Sequence, residues 1–350
     1  MFNAPIRYFL GTNTATGYRS TAATLYEPTD GWRVYLLKSG PGTGKSSFLK
    51  QVYDRAVKEG ETAEVFFCSG DPRSLDGVRL PERRVCVLDA TDPHAIEPLY
   101  WGGCEQVIPL CVGVDERRLY DERIPLREAI DASRAAHARC RRLLSGAAAF
   151  AVETARTVTV NKEKLAAQVQ RLTQQETEHG NGQEHTRMLT AFTPEGLSTW
   201  WETVQALCPR IFVIVDEEGA VAPLFFKELN RQTAGREKIV SPSPLFPDAI
   251  DQLLFPAAGV AFVTANNYHS VEFPVYRRIH ATRFYNGTTA QNASQFRRKT
   301  IRELLKGAAE AAREGAAFHD AAEKITREAV DWAVVEEIKQ RALSRIFDAR

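Results

Sequence analysis

The chain has 350 residues, which is enough for two domains of ordinary size, each with its own core. Its 45 basic and 44 acidic side chains give a formal net charge of +1, so the overall charge does not predict binding to nucleic acid or to an anionic membrane. No stretch reaches about 18 uncharged apolar residues, and the first residues do not read as a targeting segment. Six cysteines never occur as Cys-x-x-Cys, which favours reduced thiols over disulfides. We therefore expect a cytoplasmic protein without a membrane partner.

The first recognisable pattern is a strand, then a glycine-rich loop, then a helix. Residues 32–38, WRVYLLK, are apolar and rich in strand-forming residues, and the residues from Ser46 to Gly60 are apolar at helical spacing. Between them lies SGPGTGKS, Ser39–Ser46. Glycines let the backbone turn its N–H groups inward at a helix N-terminus, where partial positive charge favours an anion. This order of elements predicts a phosphate-binding loop.

The residue types in this loop predict a site for a nucleoside triphosphate, ATP, and Mg²⁺. Lys45 would reach the β and γ phosphates, and the Ser46 hydroxyl would bind the metal ion. The residues expected to contact the nucleotide are Ser39, Gly40, Pro41, Gly42, Thr43, Gly44, Lys45, Ser46 and Ser47. The usual pattern GxxxxGK[ST] begins with Gly, whereas this loop begins with Ser39. The competing interpretation is a purely structural strand-to-helix turn.

A second apolar strand, at residues 85–88, ends in Asp89. A carboxylate at the C-terminal end of a buried parallel strand lies on the ligand side of the sheet, so we expect Asp89 to join Ser46 in the metal shell. The alternative is a turn or capping residue. Many hydrolysing P-loop proteins place Glu after this Asp to polarise the attacking water, but here Ala90 follows.

Three residues are candidates for the missing base: Asp71, Asp92 and His94. All three follow predicted strands and would lie on the ligand side of the sheet. The alternative is structural, because Asp-Pro commonly starts a turn and a single His is often a hydrogen-bonded loop residue. We take Lys45, Asp89 and Asp92 as the predicted catalytic set.

The same plan occurs twice along the chain. YFLGTNTATGY resembles RMLTAFTPEGL, RVYLLKSGPGTGKSSFLKQV aligns with RIFVIVDEEGAVAPLFFKEL, and VCVLDAT aligns with VAFVTAN. In the second copy Ala222 replaces Lys45, and Thr264 replaces Asp89. Carboxylates from Asp216 to Glu218 would repel an anion there. We predict two α/β cores in tandem, each a P-loop NTPase-like parallel sheet, the second degenerate.

These units suggest four segments. They are a core with the intact loop (1–120), a helical appendage and linker (121–183), a degenerate core (184–290) and a C-terminal helical appendage (291–350). The appendages carry basic faces, which we interpret as solvated rather than phosphate-binding. These faces consist of Arg139, Arg141 and Arg142, and of Arg297, Arg298 and Lys299.

The motifs resemble those of P-loop NTPases, and the layout is similar to a poorly characterised family of tandem P-loop ATPases found in spore-forming Firmicutes. The family's loop GGPGTGKS corresponds to Ser39–Ser46, and its CSSDPxSLDGV segment corresponds to Cys68–Val78. DATDPHAIEP resembles the family's DGTxPHxxxP, which includes Asp89, His94 and Pro98. Family members generally keep a second GxPGTGKS loop, which this chain lacks. The resemblance implies ATP binding and hydrolysis at one competent site, and it supplies no biological substrate.

Three functions remain open on the sequence alone. The first is ATP hydrolysis at one Mg·ATP site, with catalysis by positioning and charge stabilisation. The second is a small-molecule or nucleotide kinase with an unknown second substrate, and the third is a scaffold that binds ATP with little turnover and signals to a protein partner. We also consider an internal pseudo-dimer of the two cores, in which the second core supplies an arginine to the first. The candidate arginines are Arg231, Arg236, Arg277 and Arg278, and their alternative role is surface solubility or salt bridging.

Overall fold

The computed structural model describes residues 6–177, 182–246, 248–288 and 291–348. These residues group into two compact units. Unit 1 contains the chain up to Thr12, Tyr18–Arg139 and the residues from Glu310 onward, and unit 2 contains Asn13–Gly17 and Cys140–Ala309. Within the described ranges, no helix is both long enough and apolar enough to cross a membrane. Residues 178–181, in the predicted linker, lie outside the described residues.

The strands and helices are numbered here in chain order. The strands are β1 (Ile6–Phe9), β2 (Gly11–Thr14), β3 (Gly17–Ser20), β4 (Arg33–Lys38), β5 (Glu64–Phe67), β6 (Leu75–Leu80), β7 (Val85–Asp89), β8 (Glu105–Pro109), β9 (Val158–Val160), β10 (Glu184–Thr186), β11 (Thr190–Thr193), β12 (Gly196–Thr199), β13 (Arg210–Val215), β14 (Lys238–Pro242), β15 (Ile250–Phe255), β16 (Val260–Ala265), β17 (Arg277–His280) and β18 (Tyr285–Thr288). The helices are α1 (Lys45–Lys58), α2 (Glu116–Asp121), α3 (Arg123–Ala155), α4 (Lys162–Glu176), α5 (Trp201–Leu207), α6 (Ala222–Gln232), α7 (Gln291–Glu328) and α8 (Trp332–Phe347).

Each unit contains a six-stranded sheet, and the two sheets have the same plan. The strand order is β1-β5-β6-β7-β4-β8 in unit 1 and β10-β14-β15-β16-β13-β17 in unit 2. The register is also the same, because Leu37 pairs with Asp89 in the first sheet and Ile214 pairs with Thr264 in the second. The prediction of two α/β cores in tandem with helices is confirmed by this topology.

The prediction that the sheets are parallel is wrong for one strand in each. The strand β6 runs antiparallel to both β5 and β7, and β15 runs antiparallel to both β14 and β16. The reason lies in the connections. A parallel crossover needs about a dozen or more residues, whereas a tight turn follows β5, with Ser74 N–H bonded to Asp71 O at 2.9 Å. A second turn follows β6, with Arg84 in the left-handed region at φ 52°. Both sheets are therefore mixed and mostly parallel.

Each sheet is packed against its own loop-following helix and one further helix. In unit 1 the core contains Phe48 and Val52 of α1 together with Val335, Ile346 and other residues of α8. In unit 2 the core contains Phe225 and Leu229 of α6, together with Leu165, Val169 and Leu172 of α4. The last helix of the chain thus packs on the first sheet, although it follows the second sheet in sequence.

Candidate functional site

The glycine-rich loop Ser39–Ser46 joins β4 to α1, as the predicted strand, loop and helix require. Gly42 and Gly44 have φ values of 74° and 90°, in the left-handed region that glycine tolerates best. The Thr43 hydroxyl donates to Gly40 O at 3.0 Å, which ties the loop to its own start. Gly44 is the N-cap of α1 and carries no capping side chain. The loop therefore ends at the positive end of a helix dipole, where backbone N–H groups favour an anion.

Lys45 and Asp89 lie close together beside this loop. The Lys45 ammonium donates to Ser39 O at 3.1 Å and Gly40 O at 2.8 Å, and it lies 3.6 Å from Asp89 Oδ2. The other carboxylate oxygen, Asp89 Oδ1, accepts bonds from the backbone N–H and the hydroxyl of Thr91 at 3.0 and 2.6 Å. Asp89 thus caps a turn with one oxygen and faces Lys45 with the other, so the structural and functional interpretations are compatible.

The predicted metal ligands are Ser46 and Asp89. The Ser46 hydroxyl oxygen accepts a hydrogen bond from Leu75 N–H at 3.0 Å, which holds the side chain at the first turn of α1. Among the described residues, no group of three or more His, Cys, Asp or Glu side chains is placed to hold a metal ion.

The three candidate bases have different surroundings. Asp92 is exposed and forms an ion pair with Arg134 at 3.5 Å. Asp71 is bonded to Arg73 and Ser74 at 2.8 Å each; burial would raise the pKa of its carboxyl, but these hydrogen bonds outweigh burial and lower it. His94 is buried, with only 6% of its surface exposed. Asp71 and Asp92 are therefore reachable from solvent, and His94 is not.

A buried polar cluster surrounds His94. Its Nε2 lies 2.8 Å from Asp76 Oδ2, and the Tyr18 hydroxyl lies 3.1 Å from the ring. Burial alone would lower the pKa of His94, but the charge and the hydrogen bond of Asp76 outweigh burial and raise it. The sequence analysis did not single out Asp76. A signal was present, because Asp76 and His94 recur as Asp251 and His269 at the same positions of the second copy.

Residues near the end of the chain cover the glycine-rich loop within unit 1. A Cβ atom at Gly42 would lie 2.5 Å from the backbone oxygen of Glu323, and one at Gly44 would lie 2.8 Å from Lys339 Nζ and 3.2 Å from Trp332 Cζ3. The Glu323 carboxylate accepts a hydrogen bond from Arg327 at 3.1 Å and lies 3.6 Å from His319 Nε2. Its pKa is lowered chiefly by His319, and also by Arg327 and the Gly42 N–H, despite burial. Sequence reasoning missed these residues, since nothing in α7 or α8 marks them as neighbours of the loop.

A cleft of about 450 Å³ opens in the same unit. Its lining is almost entirely charged and consists of Asp71, Arg73, Ser74, Asp320, Glu323, Lys324, Arg327 and Glu328. The cleft adjoins the loop at two points. Its lining residue Glu323 lies against Gly42. Ser74, also in the lining, precedes Leu75, whose N–H donates to Ser46 Oγ. Carboxylates and guanidinium groups are therefore available beside the loop within unit 1.

The equivalent loop of unit 2 is closed by its own carboxylate. Asp216 Oδ2 accepts hydrogen bonds from the N–H groups of Val221 and Ala222 at 2.7 Å each, and Oδ1 accepts one from Gly219 at 3.1 Å. Asp216 is buried; burial raises its pKa and the backbone N–H donors oppose that rise. The sequence analysis expected these acidic residues to repel a phosphate from this loop. Asp216 acts in another way: its carboxylate accepts hydrogen bonds from the loop N–H groups that would otherwise be open to a phosphate.

No family model, no curated protein and no solved structure matches the chain. The assignment of the site therefore depends on its own geometry. Two observations distinguish the two loops. Lys45 lies beside Asp89 in unit 1. In unit 2 the Asp216 carboxylate is hydrogen-bonded to the loop N–H groups.

Three of the four arginines considered as donors to the first site make side-chain contacts within unit 2. Arg231 pairs with Glu228 on its own helix, Arg236 bonds to Thr177, and Arg278 donates to Val271 O at 2.7 Å. Arg277 is exposed. Of the basic faces on the long helices, Arg139 pairs with Glu314, and Arg298 pairs with Glu218. Their role toward the nucleotide stays a prediction.

Proposed function

We propose that the chain binds one Mg·ATP at the loop Ser39–Ser46 and hydrolyses it. The observation that carries this proposal is the position of the Lys45 ammonium. It is folded over the loop carbonyls of Ser39 and Gly40 and lies 3.6 Å from the carboxylate that ends the neighbouring strand. An ammonium beside a glycine-rich loop that ends at a helix N-terminus is suited to the β and γ phosphates of a nucleotide.

The contrast between the two loops supports a single site. The turn in unit 2 has three N–H groups bonded to the Asp216 carboxylate, and Ala222 stands where unit 1 has Lys45. A phosphate would have to displace a buried carboxylate there and would meet no lysine. In unit 1 the corresponding residue is Ser39, which brings no charge to the loop.

The residues of unit 1 suit phosphoryl chemistry by charge stabilisation. Ser46 and Asp89 would hold Mg²⁺, which when bound neutralises charge on the β and γ phosphates. Lys45 would follow the charge that develops on the transferred phosphoryl group. Asp71 is the better placed of the exposed carboxylates, because it lines the cleft beside the loop, whereas Asp92 is paired with Arg134 outside that cleft.

The charged cleft also favours a second candidate, phosphoryl transfer to a polar acceptor. A cleft of about 450 Å³ has room for a small molecule, and its Arg73, Lys324 and Arg327 side chains would suit an acceptor that carries acidic groups. Asp71 at the cleft would then deprotonate an acceptor hydroxyl instead of water.

Calorimetric titration with a non-hydrolysable ATP analogue tests the site. We expect one nucleotide per chain, and Lys45→Ala should abolish turnover while the protein stays folded. Two equivalent sites, or unchanged turnover in the variant, would refute the proposal. ADP release measured without and with a panel of small acidic metabolites separates the candidates. Intrinsic release supports hydrolysis, metabolite-dependent release supports transfer, and tight binding without release supports a scaffold.

A further inference from the structure

Lys339 of α8 is a buried lysine at the end of the glycine-rich loop. Only 3% of its surface is exposed. Its Nζ donates to Ser47 Oγ at 2.8 Å, and Ser47 in turn donates to Gly44 O at 2.8 Å. Among the described residues, no Asp or Glu forms an ion pair with Lys339. Burial lowers the pKa of Lys339 and outweighs the opposing effect of the Glu336 charge.

This arrangement is unfavourable for the protein alone. The partners of Lys339 Nζ are the neutral Ser47 hydroxyl and the Trp332 ring, whose centroid lies 5.9 Å away. Burying a cation without a carboxylate partner costs free energy, and buried charges in proteins are normally paired. Lys339 also lies at the N-terminus of α1, where the helix dipole repels a cation and attracts an anion. Both penalties would be relieved by an anion that contacts Lys339 and the N–H groups at the first turn of α1 together.

Lys339 and Lys45 mark opposite ends of the loop. Lys45 reaches back to Ser39 and Gly40, where the loop begins, and it faces Asp89. Lys339 contacts Ser47 and lies next to Gly44, where the loop ends. A phosphate chain along the loop with its γ end at Lys45 would bring its α end to Lys339. The Trp332 ring edge also lies at Gly44, on the α side.

The second core provides an internal comparison. The helix α8 contributes to the core of the first sheet, and α4 contributes to the core of the second. Both helices begin at a capping side chain that accepts backbone N–H groups, Asp331 for α8 and Asn161 for α4. At the same number of positions after the cap, α8 has Lys339 and α4 has Val169, which is fully buried in the apolar core. The lysine is thus present at the loop that keeps Lys45 and absent at the loop closed by Asp216.

We propose that Lys339 is a second phosphate-binding cation of this site and contacts the α-phosphate of the bound nucleotide. The inference rests on the proposed function, since it assumes a nucleotide at the loop. It adds a residue far away in sequence, from the last helix of the chain, to the ligand set. Because the ligand would supply the missing counter-charge, nucleotide binding is coupled to the docking of α8 on the first sheet.

The test compares four proteins: the parent, Lys339→Met, Lys45→Met, and Arg341→Met as a control. Arg341 lies on the same helix, is exposed and pairs with Glu337. Calorimetry with ADP and with the ATP analogue should show Lys339→Met weakening both ligands by the same factor, roughly 10- to 100-fold for a lost charged hydrogen bond. Lys45→Met should weaken the ATP analogue more than ADP, and Arg341→Met should change neither.

Thermal unfolding separates a ligand-binding lysine from a purely structural one, because the two predict Tm changes of opposite sign for Lys339→Met. Without nucleotide, Lys339→Met should unfold at a higher temperature than the parent, because a buried unpaired charge is removed; with nucleotide, its rise in Tm should be smaller. Equal affinities for parent and Lys339→Met would overturn the inference, as would a loss confined to the ATP analogue. If the parent itself binds neither nucleotide, the proposed function fails first, and the inference falls with it.

Discussion

Asp216 stands at the position of Ser39, at the end of the equivalent central strand, and its carboxylate binds the backbone N–H groups of the loop that follows. A carboxylate from the protein thus holds the turn where a phosphate would bind an intact loop. The second loop therefore brings its own anion to the N–H groups and has Ala222 where the first loop has Lys45.

The first prediction concerns Asp216→Ala. The change leaves three loop N–H groups without their acceptor, so we expect the free energy of unfolding to fall by about 2–4 kcal/mol. Inorganic phosphate or sulfate should recover part of this loss by occupying the same donors. Chemical denaturation with and without the anion measures both effects. Glu217→Ala, next to it and exposed, is the control and should behave as the parent. Absence of anion rescue would show that the turn collapses instead of binding.

The second prediction concerns Glu323→Gln. The Glu323 backbone lies against Gly42, and the Gly42 N–H helps to lower the pKa of the Glu323 carboxyl, so the negative charge of this side chain lies beside the proposed phosphate position. Removing that charge while keeping the side-chain shape should tighten binding of the ATP analogue by roughly tenfold at low salt, and the gain should shrink as salt screens the charge. Glu314→Gln, on the same helix and paired with Arg139, serves as the control. Weaker binding in Glu323→Gln would mean that this carboxylate supports the loop rather than competes with the ligand.

The local parts of the site could be predicted from the sequence. Strand, glycine-rich loop and helix are contiguous, and the backbone of residues 33–58 follows from side-chain spacing and glycine content. The position of Asp89 beside Lys45 also followed, because parallel strands bring their C-terminal ends to one edge of a sheet. The twofold plan was visible from aligned apolar residues, and the identical strand order of the two sheets confirms it.

The remaining parts depend on contacts that no local pattern encodes. Lys339 of α8 reaches the loop from 292 residues away in sequence, because α8 packs in the first core through Val335 and Ile346. Glu323, near the end of α7, lies against Gly42 from a similar distance along the chain. Apolar spacing predicted a helix there but did not say which sheet the helix would cover. The antiparallel strand β6 was missed for another reason: its connections to β5 and β7 are too short for a crossover, a constraint on length that residue pattern alone does not show.

The third prediction concerns the pH dependence of the pair His94 and Asp76. The pKa of His94 is raised above its usual value, so protonated His94 stabilises the folded state. This contribution is fully present below the usual histidine pKa of about 6.5 and is lost as the pH rises through the raised value. Asp76→Asn should therefore cost about 3 kcal/mol of unfolding free energy at pH 6, and less at pH 9. Denaturation of both proteins across this range gives the difference directly.

Asp131→Asn is the matched control for this pair, since Asp131 is exposed and pairs with Arg127 on its own helix. Its effect should be small and independent of pH. Asp89 and Asp92 also act on His94 and are unchanged in both variants, so their contributions cancel in the comparison. A loss in Asp76→Asn that is constant from pH 6 to pH 9 would mean that His94 is neutral in the fold and that Asp76 acts as a simple hydrogen-bond partner.

The last prediction concerns the arginine that stabilises charge during phosphoryl transfer. The sequence analysis sought it in the second core, but the charged cleft beside the loop contains two arginines of unit 1, Arg73 and Arg327. Arg73 forms an ion pair with Asp71. Arg327 lies one helical turn after Glu323 and forms an ion pair with the Glu323 carboxylate at 3.1 Å. Glu323 in turn lies against Gly42. A ligand that displaces Glu323 from the loop would release Arg327 toward the phosphates. Arg327→Ala should then lower kcat by at least about 100-fold and leave the affinity for the ATP analogue within a few-fold, because the contact forms only in the transition state.

The comparison variant is Arg231→Ala. The Arg231 side chain is paired with Glu228 on the surface of unit 2, so the kcat of this variant should match the parent's. A large loss in Arg231→Ala with an unchanged Arg327→Ala would return the role to the second core, since only a cation that approaches the site from that core could then account for the rate.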